Sequence, residues 1–116
     1  MNKIIGQRKH KYHAIKTIID DIKFDSKKEA KRYQELKLLK RAGKIQELEL
    51  QPKFILQERF VYEGKTIRAI TYVADFKYKI GGKTIVEDTK GFRTEVFNIK
   101  AKMFKKKYPQ YKFIVG

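Results

Sequence analysis

The first strong pattern in the chain is a run of apolar residues at helical spacing, which predicts a helix from Ser26 to Gly43. The apolar positions of this helix are Ala30, Tyr33, Leu36, Leu39 and Ala42. Ser26 and Glu29 match a capping box at the start of the helix, and Gly43 suits the position just beyond its end. Glu29 is therefore a candidate capping residue that also borders the apolar stripe.

A second helix is predicted from Thr94 to about Lys107, because Thr94 is an N-cap residue and Pro109 blocks further extension. Its apolar members are Val96, Phe97, Ile99, Met103 and Phe104. Lys100 falls inside this stripe, one helical turn from apolar residues on both sides. A lysine in such a position must extend its amine to solvent or reach a carboxylate or a phosphate.

Between the two helices, β-branched and aromatic residues predict three successive strands. These strands cover residues 53–62, 65–79 and 83–90. Glu63-Gly64 and Gly81-Gly82 are the turns between them, because glycine adopts the positive φ that tight turns require. Such short connections favour an antiparallel meander.

Two further elements complete the expected fold. A weak alternation over residues 13–24, around Asp20-Asp21, predicts a small β-hairpin with an acidic turn. Residues 111–115 predict a final strand, and the strand–helix–strand spacing before it is that of a right-handed parallel crossover. We therefore expect an α+β fold with an αβββαβ core and an extra N-terminal hairpin. Both helices pack on a mixed central sheet, an antiparallel meander plus one parallel crossover strand.

The composition narrows the classes of partner that this protein could bind. The 116 residues include 29 Lys and Arg against 13 Asp and Glu, a net charge of +16, which predicts a polyanionic partner and most often nucleic acid. The absence of cysteine excludes disulfides and thiolate metal sites, and no apolar run suits a membrane span or a signal sequence. We expect one cytoplasmic domain over residues 1–116, without a membrane partner or a small-molecule cofactor. We expect the first eleven residues to form a mobile basic arm whose Arg8, Lys9 and Lys11 contact phosphate.

The candidate chemistry lies at the open end of the Gly81-Gly82 hairpin. If these glycines form the loop, Asp75 lies opposite Asp88, with the two Cβ atoms about 5 Å apart on one face of the sheet. Lys90 shares that face, because side chains alternate along a strand. Adjacent carboxylates repel each other, so a hard cation such as Mg²⁺ is expected between them. A longer loop would shift this register. The alternative to a metal site is that these residues form a cross-strand Asp–Lys pair on the surface.

An acidic residue on one strand followed by Asp-x-Lys on the next resembles the core of the PD-(D/E)XK nuclease superfamily. Here the residues are Ala74-Asp75 and Asp88-Thr89-Lys90, with alanine at the proline position. The element order is similar over residues 24–115, and Phe24–Ala30 resembles the start of the first helix in small phage-encoded members. The resemblance implies a Mg²⁺-dependent DNA endonuclease in which Mn²⁺ can replace Mg²⁺.

The resemblance also implies roles for individual residues. The metal ligands it implies are Glu29, Asp75, Asp88 and the carbonyl of Thr89. Lys90 would orient the attacking water and stabilise developing charge, and Lys100 would contact the scissile phosphate or Asp75. The residues expected to bind backbone phosphates, besides those of the arm, are Lys27, Lys28 and Arg93.

The sequence is compatible with two functions. The first is structure-specific cleavage, such as junction resolution, or nicking in phage DNA recombination or packaging, where a symmetric homodimer would most easily cut both strands. The second is a non-catalytic nucleic-acid-binding module in which Tyr72, Phe76 and Tyr78 stack on single-stranded bases. Core packing is the competing interpretation of those aromatic residues. A pure binder gains nothing from carboxylates where phosphate must approach, which favours the enzyme.

Overall fold

The computed structural model describes residues 17–116. The chain divides into two compact units, of which the first ends at Glu35 and the second is Leu36–Gly116. Neither helix within residues 17–116 is both long and apolar enough to cross a membrane. The predicted basic arm, with Arg8, Lys9 and Lys11, lies outside the described residues.

The first unit begins with the predicted acidic hairpin. Strands β1 (Thr17–Ile19) and β2 (Ile22–Phe24) pair antiparallel, and Asp20 and Asp21 form the turn at φ values of 54° and 63°. Aspartate tolerates this left-handed region better than most residues, which explains its use at both turn positions. The predicted hairpin is confirmed over its described part, and residues 13–16 lie outside it.

Helix α1 (Lys27–Arg41) follows within the predicted limits. The N–H of Glu29 donates to Ser26 Oγ at 3.0 Å, one half of the expected capping box. At the other end Gly43 has a φ of 78°, and the N–H of Lys44 donates to the carbonyl of Leu39 at 2.8 Å, which is a Schellman cap. The stripe is buried at its first three positions, whereas Leu39 and Ala42 in the last turn are exposed. The helical stripe therefore packs only along its first turns.

The second unit contains eight strands and helix α2. Their bounds are β3 (Gln46–Leu50), β4 (Lys53–Gln57), β5 (Phe60–Tyr62), β6 (Lys65–Ile67), β7 (Ile70–Val73), β8 (Phe76–Ile80), β9 (Lys83–Asp88), α2 (Glu95–Lys107) and β10 (Lys112–Val115). A mixed four-stranded sheet has the order β10-β9-β8-β3, in which β10 runs parallel to β9 and the other pairs are antiparallel. Strands β4 and β7 form one further antiparallel pair, and β5 and β6 form another. The α+β class and the parallel crossover strand are confirmed.

The long predicted strands prove to be interrupted. The segment 53–62 divides into β4 and β5, and the segment 65–79 divides into β6, β7 and β8. In addition, β3 joins the sheet beside β8, although residues 44–50 alternate too weakly to have been counted among the three strands. Backbone bonds explain the last interruption, because Ala74 N–H donates to the carbonyl of Pro52 while Asp75 N–H donates to that of Glu87. The chain changes partner strand between these two residues.

Helix α2 begins as predicted, with Thr94 Oγ1 accepting the N–H of Phe97 at 3.0 Å. A largely aromatic core lies beneath it and comprises Phe54, Leu56, Tyr72, Ala74, Val86, Phe97, Ala101 and Phe104. Alternation along one uninterrupted strand would place Phe76 on the same face as Tyr72 and Ala74. In the structure Phe76 pairs with Glu87, whereas Val86 of this core pairs with Lys77. The interruption at Ala74-Asp75 therefore changes which face of the strand the following residues occupy.

Candidate metal site

The β8–β9 hairpin has the register that the glycine loop predicts. Ile80 pairs with Lys83 and Phe76 with Glu87. Asp75 lies one residue beyond this ladder, where its N–H donates to the carbonyl of Glu87 and its carboxylate is close enough to Asp88 to interact electrostatically. Gly81 adopts a φ of 60°, which a side chain at this position would disfavour. The two carboxylates therefore meet where the hairpin opens, next to the interruption between β7 and β8.

Asp75 is held from the strand opposite it. Its Oδ2 atom accepts two hydrogen bonds from Thr89, one from the backbone N–H and one from the hydroxyl, each 2.7 Å long. Two donors from one residue fix both the position and the rotation of the carboxylate. Thr89 was expected to contribute its carbonyl to a metal, which stays a prediction, and its observed contribution is to orient Asp75.

Asp88 is more deeply buried than Asp75, with only 1% of its surface exposed. Its Oδ2 atom accepts a 2.5 Å hydrogen bond from the hydroxyl of Tyr72. Its Oδ1 atom is buried without any hydrogen bond, and the nearest cation is Lys90 Nζ at 3.8 Å. A buried carboxylate oxygen that lacks a hydrogen bond is costly, so this atom is poised to bind a cation.

The electrostatics of the site follow from this enclosure. Burial, as the main cause, raises the pKa of Asp88 to about 6, and repulsion from the Asp75 carboxylate adds to the increase. The Tyr72 hydrogen bond and the charge of Lys90 act in the opposite direction. Burial and the neighbouring Asp88 carboxylate raise the pKa of Tyr72, so its hydroxyl remains a proton donor at neutral pH.

The donor set fits a hard divalent cation such as Mg²⁺. Mg²⁺ prefers oxygen ligands, keeps several of its waters, and is commonly held by only one or two carboxylates together with a substrate phosphate. Asp75 and Asp88 supply two carboxylates, and Tyr72 and Thr89 orient them as outer hydrogen-bonding partners do in metal sites. Within residues 17–116 no group of three or more His, Cys, Asp or Glu side chains is arranged to hold a metal.

A cavity of about 380 Å³ opens between β7 and the start of α2. The two aspartates do not line it, but Tyr72 and Lys90, which contact Asp88, do. Lys100 lines it as well. Lys90 Nζ lies 5.3 Å from the centre of the Phe97 ring, a cation–π distance that helps to hold the ammonium in place. The structure thus brings the two candidate lysines to one cavity, although they lie on different elements.

The remaining predicted residues occupy other positions. Glu29 is buried in the first unit, where Ser26 Oγ caps its backbone N–H, and its role as a metal ligand stays a prediction. Lys27 and Lys28 are exposed at the start of α1, and Arg93 is exposed just before α2. These three side chains are accessible to phosphate, as their expected role requires.

Tyr72 is the functional residue that the sequence pattern missed. It was considered, with Phe76 and Tyr78, as a residue that stacks on bases, but all three side chains are buried. Their interpretation as core residues is confirmed. Tyr78 donates to the buried Glu87 at 2.6 Å, in the same way as Tyr72 donates to Asp88. An isolated tyrosine two residues before Ala74 carried no signal of this contact.

The fold and the site together define an α+β protein with two apposed carboxylates and two nearby lysines. Residues 9–115 match the family described as "Protein of unknown function (DUF1064)", and the chain belongs to this family. No curated protein and no solved structure matches the chain significantly.

Proposed function

We propose that this protein is a Mg²⁺-dependent DNA endonuclease that hydrolyses phosphodiester bonds. The observation that carries the proposal is the buried Oδ1 atom of Asp88, which has no hydrogen bond and lies 3.8 Å from Lys90 Nζ, while the carboxylate as a whole is repelled by Asp75. Carboxylates that bind a divalent cation, next to a lysine, suit the hydrolysis of a phosphate ester. The resemblance to PD-(D/E)XK nucleases supports the same activity.

Asp75 and Asp88 would hold the cation, with Thr89 and Tyr72 fixing their orientation. When bound, Mg²⁺ would polarise the scissile phosphate and neutralise part of its charge. The Lys90 ammonium would orient the attacking water and stabilise negative charge that develops on the phosphate. Lys100, which lines the same cavity from α2, would bind the same or the adjacent phosphate. Arg93, Lys27 and Lys28 would bind phosphates farther along the backbone.

The net charge of +16 supports DNA as the partner, because counterion release from phosphates provides affinity without sequence information. We further propose structure-specific cleavage, such as junction resolution, or nicking in phage recombination or packaging. The protein would act as a homodimer in the cytoplasm of a bacterial host. The burial of Tyr72, Phe76 and Tyr78 removes the stacking surface that a non-catalytic binding module would have used.

Incubation with supercoiled, linear and four-way-junction DNA tests the proposal directly. Cleavage is expected with Mg²⁺ or Mn²⁺ and not with EDTA. An Asp75→Asn variant serves as the matched control, since it removes one carboxylate charge and should bind DNA at least as well as wild type. Absence of cleavage of every substrate, or cleavage that persists in EDTA, would contradict the proposal.

Lys100→Met should reduce cleavage by roughly tenfold or more, because one phosphate contact is lost close to the reaction. The melting temperature should stay the same or rise, since methionine suits the partly buried position that Lys100 occupies on α2. Lys102→Met is the matched control, because Lys102 is exposed on the same helix and carries the same charge. Equal cleavage activities of the two variants would mean that Lys100 only extends its amine to solvent and does not bind the phosphate.

Glu29→Gln distinguishes capping from metal binding. Glutamine can replace glutamate in a capping box, and the lost charge contributes only about 0.3–1 kcal/mol at a helix N-terminus. A capping role therefore predicts cleavage like that of wild type. If Glu29 binds Mg²⁺, cleavage at low Mg²⁺ should fall by about tenfold or more and recover partly with higher Mg²⁺ or with Mn²⁺. We expect the second result, with a melting temperature within a few degrees of wild type.

A further inference from the structure

Phe92 has the largest exposed fraction, 81%, of any large hydrophobic residue between residues 17 and 116. It lies in the segment between β9 and α2, two residues after Lys90, and it lines the cavity that Lys90 and Lys100 also line. Val73 and Val96 line the same cavity and are exposed as well. The cavity therefore combines an apolar, partly aromatic rim with two ammonium groups.

A ligand for this cavity must offer both a flat apolar face and negative charge. Lipid chains and apolar peptides lack the negative charge. Inorganic phosphate has the charge but would leave the aromatic ring exposed to solvent. A nucleotide meets both requirements, because its base has a π-face and its phosphate pairs with lysine. A base inside an intact duplex is already stacked on its neighbours, so only an unpaired nucleotide can reach an aromatic side chain in this way.

We propose that Phe92 is a stacking platform for an unpaired base whose phosphate is bound by Lys90 and Lys100. The preferred substrate is then DNA with single-stranded nucleotides at the cleavage site, such as a flap, a gap or an open branch point, and not a continuous duplex. This inference rests on the proposed nuclease function for the identity of the nucleic acid. The stacking itself needs neither metal nor cleavage, so it can be measured separately.

The chain contains no tryptophan, so Phe92→Trp introduces a single fluorophore at the proposed platform. The variant is titrated in EDTA, at fixed salt, with a short oligodeoxythymidylate and with a duplex of equal length. Quenching by the single strand and little change with the duplex are expected. Ile99→Trp is the matched control, because Ile99 is exposed on α2 but does not line the cavity. Equal quenching at positions 92 and 99, or none at 92 when the strand is bound, would overturn the stacking proposal.

A second pair of variants separates stacking from charge. Phe92→Ala should weaken single-strand binding by roughly 5- to 100-fold, the loss expected for one base–aromatic contact, while Phe92→Tyr retains most of the affinity. Duplex binding and the salt dependence of binding should stay the same, because no charge changes. Equal weakening for duplex and single strand would contradict the proposal. Quenching without cleavage of any substrate would reject the nuclease function alone, and cleavage without quenching would reject the platform alone.

Discussion

Asp88→Asn should abolish DNA cleavage and, in the absence of metal, raise the melting temperature of the protein. Asparagine keeps the shape of the side chain and can still accept the hydrogen bond from Tyr72. It removes a buried charge whose oxygen Oδ1 lacks any hydrogen bond. Cleavage should fall at least about 100-fold, because the several kcal/mol of charge stabilisation from the metal would be lost.

The stability gain has a defined dependence on pH. The pKa of Asp88 is raised from 3.8 to about 6 in the folded protein, so the folded state binds the proton more tightly than the unfolded state. Wild type therefore loses stability as pH rises from about 4 through about 6, whereas the Asn variant does not titrate there. The difference should be on the order of 2–3 kcal/mol above about pH 7 and should shrink toward pH 4.

Thermal melting in EDTA at several pH values measures this difference. Glu58→Gln is the control, because it removes the same charge from an exposed site and should leave the melting temperature nearly unchanged. Added Mg²⁺ should raise the melting temperature of wild type and of the control, but not that of Asp88→Asn. Two results would argue against a cation site at this carboxylate. One is an Asp88→Asn protein that melts below wild type at neutral pH, and the other is an Asp88→Asn protein that Mg²⁺ stabilises as strongly as it stabilises wild type.

Lys90→Met should reduce cleavage by about 10²–10³-fold, a loss typical of removing one group that stabilises charge in a transition state. DNA affinity should change by only a few fold, because one of many phosphate contacts is affected. The variant should also be less stable above neutral pH, since the Lys90 ammonium partly compensates the buried Asp88 carboxylate 3.8 Å away.

Lys83→Met provides the matched control for Lys90. Lys83 begins β9, which ends two residues before Lys90; it carries the same charge and is exposed at the turn end of the hairpin. Rates of single-turnover cleavage and binding isotherms at equal salt compare the two variants. If Lys83→Met lost as much activity as Lys90→Met, the effect would be one of net charge, and the proposed role of Lys90 would be wrong.

Several features of the molecule could be predicted from the sequence because they depend on neighbouring residues. The Ser26 cap, the Gly43 stop and the Thr94 cap each satisfy backbone groups within a few positions, and the structure has both helices where these residues place them. The Gly81-Gly82 turn fixed the register of the β8–β9 hairpin in the same local way. Since register decides which side chains meet, this local turn already brings Asp75 close to Asp88.

Tertiary packing decided the environment of that pair. Alternation along one uninterrupted strand would place Tyr72 on the face opposite Asp75. The exchange of partner strands at Ala74-Asp75 allows Tyr72 to reach Asp88. Burial of Asp88 depends on the core beneath α2, whose members come from four separate elements and the residues between them. The same packing leaves Phe92 exposed beside two lysines. Local sequence sets turns and caps, whereas burial and the pKa of Asp88 arise from residues that are distant in the chain and close only after folding.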